Sequence, residues 1–190
     1  MTWATPLLCA QEAKENAAVK INIPAEVDKV IRAGRGDVLL LQMNKLAKVA
    51  IFDIKSEKIT GYVPLGGSDT LVTGTADSII LLVRDKKVIQ RWTLQPLEKA
   101  LTVASSLTEQ IDDLSAGYAG SAPVLIMTRE GPRFLNPTTL KLVPTAGVTA
   151  PAKLGKSDAG VKIEESGASF SVKYTAAEAG KKTVTGQLSF

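Results

Sequence analysis

Six basic residues occupy short polar turns at corresponding places along this sequence: Lys45 and Lys48, Lys86 and Lys87, and Arg129 and Arg133. Cations repeated at one position of an array gather on one rim, and the basic arc they form would attract an acidic protein, a polyanion or an anionic glycan. The bland alternative is that exposed hairpin turns carry lysine for solubility alone. Other residues capable of chemistry read as structural. Asp37 and Asp77 stand forty residues apart, each just before an apolar run, where a carboxylate caps its own turn by accepting backbone N–H groups. Asp112 and Asp113 are adjacent in an extended segment, so their side chains point to opposite faces and do not share one ligand. Gly34-Arg35-Gly36 is a hairpin turn and not a phosphate cradle, because no helix follows it.

Composition narrows the chemistry further. The 190 residues contain no histidine, which removes Ser/His/Asp and Cys/His nucleophile arrangements, the commonest zinc ligand and the usual neutral-pH base. Cys9 is the single cysteine, so an intrachain disulfide is excluded and the compartment stays open, a cytoplasmic home being favoured over export. A 45% hydrophobic and 22% charged content belongs to a soluble globular chain rather than a disordered one, and no apolar run reaches the roughly 18–20 residues of a membrane span. The formal charge of +4 favours anionic partners only weakly. No aromatic residues interleave with the basic turns, so sequence-specific nucleic-acid binding is not expected. The first residues lack the basic start and the apolar length of a signal peptide, and Leu8 before Cys9 does not suit lipid attachment.

The elements that would position these turns are short strands in a repeat. Asp37-Val38-Leu39-Leu40-Leu41 returns forty residues later as Asp77-Ser78-Ile79-Ile80-Leu81, and Phe52 returns at the same distance as Trp92 and about forty residues further on as Phe134. Such a period filled with short apolar strands is the signature of β-propeller blades. One unit reads as four antiparallel strands over 29–33, 38–43, 49–54 and 59–65. The second reads as 70–73, 78–84, 88–94 and 99–104, and the third as 111–116, 124–128, 133–135 and 140–143. The continuous apolar runs Val38–Leu41 and Ile79–Val83 suit strands covered on both faces, as blades are by their neighbours. Phe52, Trp92 and Phe134 are expected to be buried at equivalent positions. Residues 1–24 read as a leader or linker, 25–143 as three blades (25–66, 67–108 and 109–143), and 144–190 as a linker followed by a degenerate fourth blade or a β-hairpin.

The segment Phe52-Asp53-Ile54-Lys55-Ser56-Glu57-Lys58 resembles the end of a WD-repeat-like blade, where an aromatic and an aspartate close the third strand ahead of a tight turn. Trp92-Thr93-Leu94 and Phe134-Leu135-Asn136-Pro137-Thr138-Thr139-Leu140-Lys141 are weaker copies. The Gly-His pair and the Asp-His hydrogen-bonded tetrad of typical WD repeats are absent, which points to a divergent, bacterial-style propeller. What the resemblance implies is an interaction platform.

The sequence therefore predicts an all-β, β-propeller-like array of four-stranded antiparallel blades, open or incomplete, with three to four blades. It predicts a non-enzymatic module, with no catalytic residue, cofactor or metal, that binds a protein or acidic macromolecular partner through Lys45, Lys48, Lys86, Lys87, Arg129 and Arg133. Self-association through uncovered apolar faces of the terminal blades is a further expectation. The alternative is a propeller hydrolase or lyase that gathers carboxylates such as Asp69, Asp112 and Asp113 around a metal.

Overall fold

A computed structural model describes residues 23–116 and 122–144, together with the backbone of strands at 161–166, 169–177 and 183–189. The first sheet takes its strands in chain order, β1 (Lys29–Ala33), β2 (Val38–Met43), β3 (Lys48–Asp53) and β4 (Lys58–Pro64). The second repeats the order with β5 (Thr70–Gly74), β6 (Ser78–Val83), β7 (Val88–Thr93) and β8 (Glu98–Ala104). The third consists of β9 (Ile111–Ser115), β10 (Val124–Thr128), β11 (Gly131–Leu135) and the two-residue β12 (Leu142–Val143). A three-stranded antiparallel sheet, β13 (Val161–Ser166), β14 (Ser169–Ala177) and β15 (Thr183–Ser189), completes the described strands.

Why these runs become blade strands follows from their burial. Every residue of β2 and of β6 is buried, because neighbouring layers cover both faces of each sheet. The outer strands β4 and β8 are mostly exposed or part-buried, as an edge facing water requires, with Val63 of β4 alone fully buried. One apolar layer lies between the first and second sheets, where Val38, Leu40, Val49 and Ile51 meet Ile79, Leu81 and Val83. Another lies between the second and third, where Ile80, Leu82 and Ile89 meet Leu114, Val124, Ile126 and Leu135.

The repeat extends below the level of strands. In the first sheet the register slips between Ile51 and Phe52, leaving Thr60 as the extra residue on β4; in the second it slips between Arg91 and Trp92, leaving Ala100. Ile54 N–H donates to the Asp37 carbonyl at 2.9 Å, and Leu94 N–H donates to the Asp77 carbonyl at 3.0 Å. The expected aspartate caps are thus made by backbone carbonyls. The carboxylates do other work: that of Asp37 pairs with Lys55 at 3.4 Å, and that of Asp77 accepts the Thr75 and Ser78 hydroxyls.

Two expectations about the core are corrected. Phe52 pairs with Leu39 and Trp92 with Ile79, both on the face toward the preceding layer, but Phe134 pairs with Leu125 on the opposite face. In the third sheet the position equivalent to Phe52 and Trp92 is Leu135, opposite Val124. A difference of one residue reverses the face because side chains alternate. Phe52 and Phe134 are deeply buried, whereas Trp92 is only part-buried at the rim of its layer. Apolar side chains on the outer faces of the first and third sheets, expected to lie uncovered, are buried. Leu39, Leu41, Met43, Phe52 and Ile54 on the outer face of the first sheet are fully buried, with Ile23, Ala25 and Val27 among the residues packed there. Leu125 and Phe134 on the outer face of the third sheet are buried as well.

Candidate functional site

The turns between the second and third strands all lie at the end of the sheets where the inner strands begin. Backbone hydrogen bonds fix this: Asp28 N–H donates to Gln42 O at 2.8 Å, Arg84 N–H to Asp69 O at 2.8 Å, and Arg129 N–H to Gln110 O at 3.2 Å. The turns carrying Lys45, Lys86 and Arg129 therefore share one rim. At the opposite end Gly34 N–H donates to Thr75 O at 2.9 Å and ties the first two sheets together.

On this rim each of the three four-stranded sheets carries a comparable ion pair, with the cation in the turn in the first two and on β11 in the third. A carboxylate in the segment before the inner strand holds a cation from the following hairpin: Glu26 with Lys45 at 2.7 Å, Asp69 with Arg84 Nε at 2.9 Å, and Glu109 with Arg133 Nη2 at 2.8 Å. The Arg84 guanidinium also donates to the Ile111 carbonyl at 2.5 Å, which binds the second hairpin to the base of the third sheet. The consequences for titration follow the pairing. The Glu109 carboxyl is held below its ordinary range, first by its own backbone amide and next by Arg133, while Lys45 is raised by its hydrogen bond and charge interaction with Glu26.

The six basic residues thus have unequal roles. Lys45 and Arg133 are committed to carboxylates, and Lys86 Nζ donates to the Gly66 carbonyl. The Lys48 ammonium lies 5.9 Å from the Tyr62 ring centroid. Lys87, in the left-handed region at φ 51°, and Arg129 have side chains with no partner among the described residues. The arc is interleaved with acids, since Glu26, Asp28, Asp69, Asp85, Glu109 and Glu130 occupy the same rim. Sequence reasoning passed over Arg84, Glu26 and Glu109. The signal available was an acidic residue within three positions before each inner strand, at 26, 69 and 109.

The carboxylates considered for a metal do not come together. Asp69 is held by Arg84, and Asp113 faces Lys29 at 4.0 Å across the inner strands. Asp112 and Asp113 are both exposed, since the register slip between Met127 and Thr128 leaves Asp112 unpaired and breaks the expected alternation. Among the described residues no group of three or more His, Cys, Asp or Glu is placed to hold a metal. Among them, too, no helix is long and apolar enough to cross a membrane.

No protein-family model and no curated protein matches the sequence. Solved structures similar to it include residues 644–1017 of HIRA, at 11% identity and a TM-score of 0.45 over 64% of this chain and 40% of that one. The Cps50 (Swd1) β-propeller domain of Myceliophteria thermophila is similar at 16% identity and a TM-score of 0.47, over 81% and 52% of the two chains. Kuenenia stuttgartiensis hydrazine synthase is similar at 11% identity and a TM-score of 0.47, over 91% and 48%. The chain spans about half the length, or less, of these structures. Successive four-stranded antiparallel meanders packed face to face, with the inner strands together and the edge strands outward, make the described fold a partial β-propeller-like array.

Proposed function

We propose that the chain is a non-enzymatic β-propeller interaction module that binds a protein partner through the turns of one rim, with Lys45, Lys48, Lys86, Lys87, Arg129 and Arg133 at or beside the contact. The observation that carries this reading is the repeated carboxylate–cation pair that ties a hairpin of each four-stranded sheet to the segment before its inner strand, from the turn in the first two sheets and from β11 in the third. A rim held this way presents its side chains preorganised, so less ordering opposes association. The hydrolase or lyase alternative needs converging carboxylates, and no described geometry favours it.

The test is affinity capture with the whole chain, run in parallel with Lys87→Glu/Arg129→Glu on this rim and Arg35→Glu on the opposite one. Proteins that bind the parent chain and Arg35→Glu but are lost with the double variant support the reading. Equal capture by all three chains, or turnover found across a hydrolase substrate panel, overturns it.

A further inference from the structure

We draw no further inference here: the strongest candidate, the surface patch that Leu46 and Tyr62 expose on the first sheet beside the Lys48 ammonium, carries nothing because the structure does not show what covers it.

Discussion

Gly74→Ala tests how closely the first two sheets approach. A Cβ at position 74 would lie 2.4 Å from the Ala33 Cβ, 2.7 Å from the Arg32 carbonyl oxygen and 3.1 Å from the Ala33 Cα. Ordinary carbon contacts lie at about 3.5–4.0 Å, so β1 and β5 must separate by about 1 Å, and their backbones cannot rotate away as a side chain does. Overpacking of this kind costs about 1–3 kcal/mol. The separation also strains the adjoining bond from Gly34 N–H to Thr75 O, whose loss adds about 1 kcal/mol. Reduced freedom of the unfolded chain returns about 0.4–1 kcal/mol. The expected net destabilisation is about 1–4 kcal/mol. Gly61→Ala supplies the contrast: its Cβ would also meet an atom at 2.4 Å, but that atom is the Leu97 Cδ2, the far end of a flexible side chain. It should cost less than about 1 kcal/mol. Urea titration read by Trp92 fluorescence in a Trp3→Phe background measures both, since Trp92 packs against the layer between these sheets. Equal costs for the two variants, or a Gly74→Ala cost below about 0.5 kcal/mol, would refute the close-approach argument.

Three further outcomes are expected. Phe52→Ala should cost about 3–5 kcal/mol in denaturant titration as a large core deletion, and Trp92→Ala, part-buried, should cost less; the reverse order would contradict the assigned burial. Arg84→Met removes both the Asp69 pair and the bond to the Ile111 carbonyl, so it should destabilise by about 1–3 kcal/mol, more than Asp69→Asn. Glu109 has a lowered carboxyl pKa, so its stabilisation is present above the unfolded value and lost as pH falls through the folded one. Thermal unfolding of the parent and Glu109→Gln should therefore differ at neutral pH and converge in acid, and a gap that widens on acidification would show the sign to be wrong.

The strands were legible because their apolar runs are continuous and bounded by turn residues. β1, β2 and β10 begin and end where the sequence places them, at 29–33, 38–43 and 124–128. Parity in the third sheet was not legible. A 42-residue step from Trp92 to Phe134 looks like the same period, yet the equivalent residue is Leu135, and only the pairing register reveals it. The exposure of Asp112 beside Asp113 was hidden for a similar reason, because a bulge breaks the alternation on which the sequence argument relied. The rim pairs were concealed differently. They join residues 19, 15 and 24 positions apart, and no hydrophobic period marks them.

These pairs also decide which rim residues can report on recognition. Exposed ion pairs contribute only about 0–1 kcal/mol each, so their recurrence in all three four-stranded sheets is better explained by placement than by stability. Each ties a hairpin to the segment that enters the inner strand, through a turn residue in the first two sheets and through Arg133 of β11 in the third, and each neutralises a cation that would otherwise add to the arc. Reversing the charge at Lys45 or Arg133 therefore changes two things together, the field of the rim and the restraint on its hairpin. Lys87 and Arg129 have side chains free of partners among the described residues, so reversal there alters the field and leaves the carboxylate–cation restraints in place. A partner that reads the rim electrostatically must respond to Lys87→Glu and Arg129→Glu through a slower, salt-dependent association rate. A partner that reads turn geometry must respond to Glu26→Gln and Glu109→Gln instead, although each of those changes makes the rim more positive.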